Sequence, residues 1–277
     1  MPLNETVLGR MVGEIVLSRH PNYREGQIVH GMLGWQEYAI SDGGTNIENY
    51  GPGITVVDPD LAPISTALGI MGMPGATAYF AVTNIANPKP GEIVLVSSAA
   101  GAVGSTIGQI VKVYGCRVYG LAGSQEKVDF LTSQLGFDGA LNYRASRDLA
   151  TDIGRLCPDG IDIYFDLVGG EMRHAVLEHL RPFARIPLVG FISQVNDRPP
   201  SLPDPTRVLM AKRVRMEGLI VYDHVGRMDE FRSQMSHWIK TGKVRPVETI
   251  VEGFERLPRA FIEMLQGKNV GKYLVRV

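Results

Sequence analysis

The chain has 277 residues, of which 44% are hydrophobic and 21% are charged, and its formal net charge is −1. This composition excludes a disordered chain, and without long runs of Lys or Arg it gives no electrostatic basis for nucleic-acid binding. The N-terminal apolar runs are short and interrupted by charge, and no apolar stretch could span a bilayer. We therefore expect a cytoplasmic protein with no membrane anchor.

Residues 1–60 predict short strands between glycine turns, with strands in "GEIVLSRH" and "QIVHGML". Two helical patterns follow, over Leu61–Ile70 and Gly75–Ile85, and the second stops at the Pro-Gly segment 87–91.

From Glu92 onward, apolar strands alternate with helices. The first strand, "EIVLVSS", is continuously apolar, as strands are when both faces of a parallel sheet are covered. The alternation predicts an α/β fold with a doubly wound parallel sheet. The predicted helices are Val103–Tyr114, Gln125–Leu135, Ser146–Arg155, Glu171–Leu180 and Val225–Thr241, and the further strands are Arg117–Leu121, Gly139–Asn142, Ile161–Asp166, Ala184–Val189 and Met216–Val221.

The tail differs from this alternation. "ERLPRAFIEMLQG" has one apolar helical face, and "VGKYLVRV" is a strand with no helix after it. We expect that strand to pair outside the parallel sheet.

The turn "SSAAGAVGSTIG" joins the first apolar strand to the first helix and contains Ala99-x-Gly101-x-x-Gly104. Gly101 would let the backbone approach a diphosphate, and Gly104 would let helix and strand pack closely, with the helix N-terminus supplying N–H donors. Ala99 replaces the usual first glycine. The alternative is a tight connection without a ligand.

The cofactor type is indicated at the end of the second strand. An NAD site would have an acid there, but this chain has "LAGSQ" followed by the cation Lys127. These two features favour NADP(H), although Glu126 lies beside the lysine. A solvated surface lysine is the alternative interpretation.

Other chemistry has few candidates. Cys116 and Cys157 lie in no CxxC motif or Cys/His cluster, so we expect buried free thiols, no disulfide and no metal site. No G-x-S-x-G motif indicates a hydrolase. Tyr79, Tyr143 and Tyr222 remain as hydroxyl donors, unless they are simply packed.

Six segments point to a known family: "LGIMGMPGATAYF", "VSSAAGAVGSTIGQIVKVYGCRV", "GSQEKVDFL", "LGFDGALNYR", "YFDLVGG" and "GKNVGKYLV". From about Val12 to the C-terminus the chain resembles the zinc-independent medium-chain dehydrogenase/reductases. The NADPH-dependent alkenal/one reductase branch, with its prostaglandin, plant double-bond and curcumin reductases, is the most similar. The resemblance implies a Rossmann domain over residues 89–245, a partial, mostly β, GroES-like domain over 1–88 and 246–277, and a homodimer joined along Met216–Val221.

The resemblance also implies site residues. Tyr143, with the nicotinamide ribose hydroxyl, would be the catalytic hydrogen-bond donor and would meet the nicotinamide ribose side. The diphosphate would lie on Gly101, Ala102, Val103 and Gly104, and the 2′-phosphate on Lys127. Gly190, Phe191, Ile192, Ser193 and Gln194 would line the nicotinamide and its ribose, Leu219, Ile220 and Val221 would border its carboxamide, and Asn269 would touch the cofactor from the tail.

Three departures from the family pattern stand out. Leu167 replaces a frequent Asn, and Val195 replaces a frequent Tyr. Family members also carry several dozen residues, with a "DPYM" motif, before the part matching Met11, so we expect Met1 to fall within the GroES-like domain and the substrate cleft to be incomplete.

The predicted activity is NADPH-dependent reduction of the carbon–carbon double bond of a small α,β-unsaturated ketone or aldehyde. The alternatives are a quinone reductase of the same fold, and a catalytically defective NADPH-binding protein.

Overall fold

The computed structural model describes residues 4–44, 53–194 and 204–277. In these ranges the strands are β1 Met11–Glu14, β2 Ile28–Gly31, β3 Thr55–Val56, β4 Ile93–Val96, β5 Arg117–Ala122, β6 Gly139–Asn142, β7 Ile161–Phe165, β8 Leu180–Leu188, β9 Arg215–Gly218, β10 Glu248–Glu252 and β11 Lys272–Arg276. The helices are α1 Met73–Phe80, α2 Ala102–Val113, α3 Gln125–Leu135, α4 Leu149–Leu156, α5 Gly170–Leu177, α6 Thr206–Lys212, α7 Met228–Lys240 and α8 Leu257–Leu265.

The chain divides into two compact units. Unit 1 comprises Met1–Ala76 and Val221–Val277, and unit 2 comprises Thr77–Ile220. The domain boundaries expected from the resemblance, at 88/89 and 245/246, stay a prediction.

Unit 2 contains a six-stranded parallel sheet with the order β6-β5-β4-β7-β8-β9. This is the doubly wound order, in which the direction of strand progression reverses between β4 and β7. All four residues of β4 are buried, as predicted from its continuous apolar sequence. The predicted α/β fold with a Rossmann sheet is therefore confirmed.

Local signals explain why the helices of unit 2 begin and end where they do. The Ser124 side chain caps α3 by accepting a bond from the Lys127 N–H, and Gly136 ends that helix with a left-handed φ of 67°. Asp148 caps α4 through the Thr151 N–H. The apolar faces of these helices cover a core that includes Ile107, Leu121 and Ile153, each fully buried.

Unit 1 holds two smaller sheets. β1, β2 and β3 form an antiparallel sheet, and β10 and β11 form a parallel pair that α8 connects. The tail strand thus pairs outside the six-stranded sheet, as predicted. Its partner β10, "ETIVE", was not predicted.

Some predicted elements differ in extent. The helix expected over Leu61–Ile70 is only a 3₁₀ turn, Ile64–Leu68. The helix expected over Gly75–Ile85 is α1 followed by a π-helical turn, Ala81–Ala86, which ends at left-handed Asn87 before Pro88. Within the described ranges, no helix combines the length and hydrophobicity needed to cross a membrane.

Candidate cofactor site

The glycine turn connects β4 to α2 at the point where the strand order reverses. A Cβ atom on Gly104 would lie 2.4 Å from the Ser98 carbonyl oxygen and 2.9 Å from the Ala99 Cα, so only glycine allows this approach of helix to strand. The sequence prediction for the packing role of Gly104 thus agrees with the structure.

Ala99 fits in place of the usual first glycine because of its neighbour on β5. The Ala99 N–H donates to the Leu121 carbonyl at 3.0 Å, which holds the turn against β5. There, a Cβ atom on Gly120 would lie only 2.8 Å from the Ala99 Cβ. The space that the alanine methyl needs is provided by Gly120.

The N-terminus of α2 is built to accept an anion. Gly101 caps the helix without a side-chain hydrogen bond, and the Ser105 N–H donates to the Gly101 carbonyl. The N–H groups of Ala102, Val103 and Gly104 therefore precede the first intrahelical donor and have no acceptor within the helix. Together with the helix dipole, they form a site suited to a diphosphate.

The side chains of Tyr143 and Arg144 converge on Gly123, just beyond β5, and Lys127 interacts with Arg144. We call Lys127, Tyr143 and Arg144 the Gly123 cluster. A Cβ atom on Gly123 would lie 3.2 Å from the Tyr143 hydroxyl and 3.4 Å from the Arg144 Nε. Burial lowers the pKa of Lys127, and the positive charge of Arg144 lowers it further, so the two cations are close enough to interact. Such a pair is suited to a phosphate dianion.

Arg144 was missed by the sequence analysis, although it directly follows Tyr143. The guanidinium carbon of Arg144 lies 6.0 Å from the centre of the Tyr143 ring. The charge of Arg144 affects the pKa of Lys127 more than the charge of Glu126 does, and Glu126 was the one acid that weakened the prediction of NADP(H).

Tyr143 lies at the outer end of the sheet. Because β6 and β8 are four strand spacings apart in the sheet order, the end of β6 is roughly 19 Å from the end of β8. The structure places the Tyr143 hydroxyl beside Gly123 and the Tyr143 ring beside Arg144, at the end of the sheet order away from β8. Its role as a catalytic donor beside the nicotinamide ribose stays a prediction.

The segment predicted to line the nicotinamide follows β8. Gly190 leaves the strand, Phe191 and Ile192 are more than half exposed, and Ile192–Gln194 forms a 3₁₀ turn. Val195, the predicted departure from the family, lies outside the described residues.

The remaining predicted cofactor residues are distributed over both units. In unit 2, Leu219 is buried and its N–H donates to the Leu188 carbonyl, while Ile220 is 62% exposed. Val221 and Asn269 belong to unit 1, where the Asn269 amide donates to the Gly271 carbonyl at 2.7 Å. Their contacts with a cofactor stay predictions.

The sequence analysis did not single out Asp166, which lies at the end of β7. This carboxylate is fully buried and accepts bonds from the N–H groups of Val168 and Gly169 and from the Arg173 Nε. The signal was a charged residue directly after the apolar strand "IDIYF".

The described residues contain no group of three or more His, Cys, Asp and Glu side chains that could hold a metal ion. Both cysteines are buried free thiols, as predicted. Burial raises the pKa of Cys116 to about 11 and that of Cys157 to about 12, so neither is a ready nucleophile.

Two family models match this chain. The zinc-binding dehydrogenase model matches residues 102–241, and the N-terminal domain of oxidoreductases matches residues 1–48. The chain belongs to the zinc-binding dehydrogenase family. The match agrees with the predicted membership of the medium-chain dehydrogenase/reductases.

Several reductases are similar to this chain over nearly its whole length. Prostaglandin reductase 1 of Mus musculus is 43% identical over 98% of this chain and 82% of the relative. The NADP(+)-dependent 2-alkenal reductase of Nicotiana tabacum is 41% identical over 98% of this chain and 77% of the relative. The crystal structure of CurA from Vibrio vulnificus in complex with NADPH superposes with a TM-score of 0.88 at 41% identity, covering 98% of this chain and 79% of that one.

Proposed function

We propose that this chain is an NADPH-dependent reductase of the carbon–carbon double bond of α,β-unsaturated ketones and aldehydes. The observation that carries the proposal is the pairing of two sites along one edge of the parallel sheet. A helix N-terminus with three N–H donors lies beyond β4, and two interacting cations with no acid at the strand end lie beyond β5. The similarity to reductases named for alkenals and prostaglandins supports this substrate class.

The residues of unit 2 fit NADPH. The N–H groups of Ala102, Val103 and Gly104 would bind the diphosphate, and the missing Cβ of Gly104 keeps the turn close to the strand. Lys127 and Arg144 would bind the 2′-phosphate, and Tyr143 would donate its hydroxyl to the same group or to its ribose. When bound, NADPH would supply the hydride that adds to the β-carbon of the alkene, and a proton taken up at the α-carbon would complete the saturated product.

A carbonyl conjugated to the alkene takes up negative charge as the hydride adds, so a hydrogen-bond donor at that oxygen lowers the barrier. Tyr143 and the nicotinamide ribose hydroxyl were predicted to provide this donor. Because the Tyr143 hydroxyl lies in the Gly123 cluster, we propose that Tyr143 acts on the adenosine end of the cofactor.

The test uses purified protein, NADPH and a simple enone such as 3-nonen-2-one, with the absorbance of the reduced nicotinamide followed over time. We expect oxidation of NADPH and, by mass spectrometry, the saturated ketone as product. Turnover of 1,4-benzoquinone without turnover of the enone would favour the quinone reductase. NADPH binding without any turnover would favour the catalytically defective binding protein, and absence of binding would contradict all three.

We also propose a homodimer joined through β9, which is an edge strand of the six-stranded sheet and so has unpaired backbone groups. Light scattering should give the mass of two chains, and the mass of a single chain would contradict the proposal. A cytoplasmic location likewise remains a proposal, supported by the two free thiols.

A further inference from the structure

Asp166 directly follows β7, and its side chain is fully buried. Its Oδ1 accepts bonds from the Gly169 N–H at 2.8 Å, the Val168 N–H at 3.1 Å and the Tyr164 hydroxyl at 3.2 Å. Its Oδ2 accepts from the Arg173 Nε. Burial, and then the charge of Asp166, raises the pKa of Tyr164 well above 10, so Tyr164 stays a donor.

The main-chain carbonyls of this loop after β7 join it to the loop after β8. The Ser193 N–H and hydroxyl both donate to the Val168 carbonyl, at 3.2 and 2.6 Å. The N–H groups of Val189 and Gly190 donate to the Asp166 carbonyl, at 2.8 and 3.1 Å. Residues 166–170 and 189–193 therefore form one wall, which we call the switch-point wall.

Glycines make the wall compact. Gly169 and Gly170 have φ of 75° and 60°, and a Cβ atom on Gly170 would lie 3.0 Å from the Ser193 Oγ. A Cβ atom on Gly169 would lie 3.3 Å from the Arg173 Nη2 and 3.7 Å from the Phe191 Cα. The guanidinium of Arg173 thus reaches the side of the wall where Phe191 is exposed.

We propose that Asp166 and Arg173 are positioning residues for hydride transfer: their ion pair sets the switch-point wall against which the nicotinamide is held. The inference rests on the proposed function, because the wall contains Gly190–Ser193, the segment expected to line the nicotinamide. A wall that shifts by about an ångström misplaces the reacting carbon, and such errors reduce the rate more than the binding. The cofactor phosphates bind elsewhere, at α2 and the Gly123 cluster.

The decisive variant is Arg173→Met, with Arg181→Met as its matched control. Arg181 bonds Asp162 at 3.1 Å, and this ion pair also starts from β7 but links it to β8 near the amino ends of both strands, away from the switch-point wall. Arg173→Lys keeps the charge and serves as the conservative variant. Each protein is measured for kcat, for NADPH affinity by nicotinamide fluorescence, and, without cofactor, for hydrogen exchange of the Val168, Gly169 and Ser193 amides.

For Arg173→Met we expect a kcat reduced at least tenfold, an NADPH Kd changed less than about threefold, and faster exchange of the three amides. Arg173→Lys should recover part of the lost kcat, and Arg181→Met should match the parent in kcat and amide exchange. If Arg173→Met does not fold, Arg173→Lys decides, with an intermediate kcat at unchanged Kd supporting the proposal.

Parental kcat and amide exchange in Arg173→Met would overturn the inference, as would an equal loss of kcat in Arg181→Met. Failure of the proposed function looks different, because the parent protein itself would then not oxidise NADPH with the enone. In that case the amide exchange of the cofactor-free variants still tests whether Arg173 holds the wall.

Discussion

Beyond β5 and β6, Lys127 and Arg144 are two interacting cations of like charge, and the charge of Arg144 lowers the pKa of Lys127. Beyond β7, Asp166 has a cation, a hydroxyl and two N–H groups as partners. With Glu126 as the acid that acts on Lys127, the two cations of the Gly123 cluster keep an excess of positive charge suited to an anionic ligand, whereas the Asp166 carboxylate is bonded within the protein. The Gly123 cluster therefore favours binding of an anion, and the bonds of Asp166 favour a fixed loop geometry.

The turn expected to bind the diphosphate lies between these two regions. Of the variants considered, Gly104→Val in this turn should have the largest effect on NADPH affinity and on stability. The added side chain meets the Ser98 carbonyl oxygen at 2.4 Å, so the N-terminus of α2 must move. We expect a loss of NADPH affinity of at least about a hundredfold and about 1–3 kcal/mol of stability, measured by fluorescence titration and thermal unfolding. Gly13→Ala on β1, where a Cβ meets nothing within 4 Å, is the control. Parental affinity in Gly104→Val would show that the turn binds no phosphate.

Removing a cation from the Gly123 cluster should cause the next largest loss of NADPH affinity. Lys127→Ala and Arg144→Ala should each weaken NADPH roughly ten- to fiftyfold and NADH less than about twofold, because only NADPH has the 2′-phosphate. The Kd values of both cofactors are measured side by side, with Lys112→Ala, which pairs with Asp138 on the same unit, as the control. Equal losses for NADPH and NADH would remove the 2′-phosphate assignment.

Tyr143→Phe separates binding from catalysis with a smaller change. If the hydroxyl acts on the adenosine end, the KM for NADPH should rise about three- to tenfold while kcat stays within about twofold of the parent. Steady-state kinetics at saturating enone give both constants. A large fall in kcat at unchanged KM would instead support Tyr143 as the catalytic hydrogen-bond donor beside the nicotinamide ribose.

The smallest expected effect is one of pH. Because burial and Arg144 lower the pKa of Lys127, its charge is lost at a pH below the 10.5 of an ordinary lysine. Affinity for NADPH should therefore fall, relative to NADH, as pH rises through that range, and Arg144→Ala should move the fall to higher pH. Titrations across the alkaline range check this, and an identical pH dependence for both cofactors would contradict it.

The parts of the site that the sequence predicted are local in the chain. Gly101 and Gly104 act within one strand–turn–helix segment, and Lys127 follows its own N-cap by three residues, so spacing alone places them. The fold class followed in the same way from the strand–helix alternation.

The parts that were missed depend on contacts that spacing does not contain. Ser193 bonds the carbonyl of Val168 across 25 positions of the chain, and this contact makes the wall. The neighbours of Tyr143 depend on the strand order, which places β6 at the edge, and no feature of "LNYR" specifies that order. β10 was missed although Thr, Ile and Val favour a strand there, because its partner β11 lies beyond α8 and the sequence does not specify that pairing.

The contact between Ala99 and Gly120 has a consequence for how such chains are found. The fingerprint of a dinucleotide site is usually written along one strand and turn, yet here part of its steric requirement lies on the adjacent strand, 21 positions further along. A search for three glycines in the turn would pass over this protein. A search that accepts alanine at the first position when glycine faces it on the next strand would retain it.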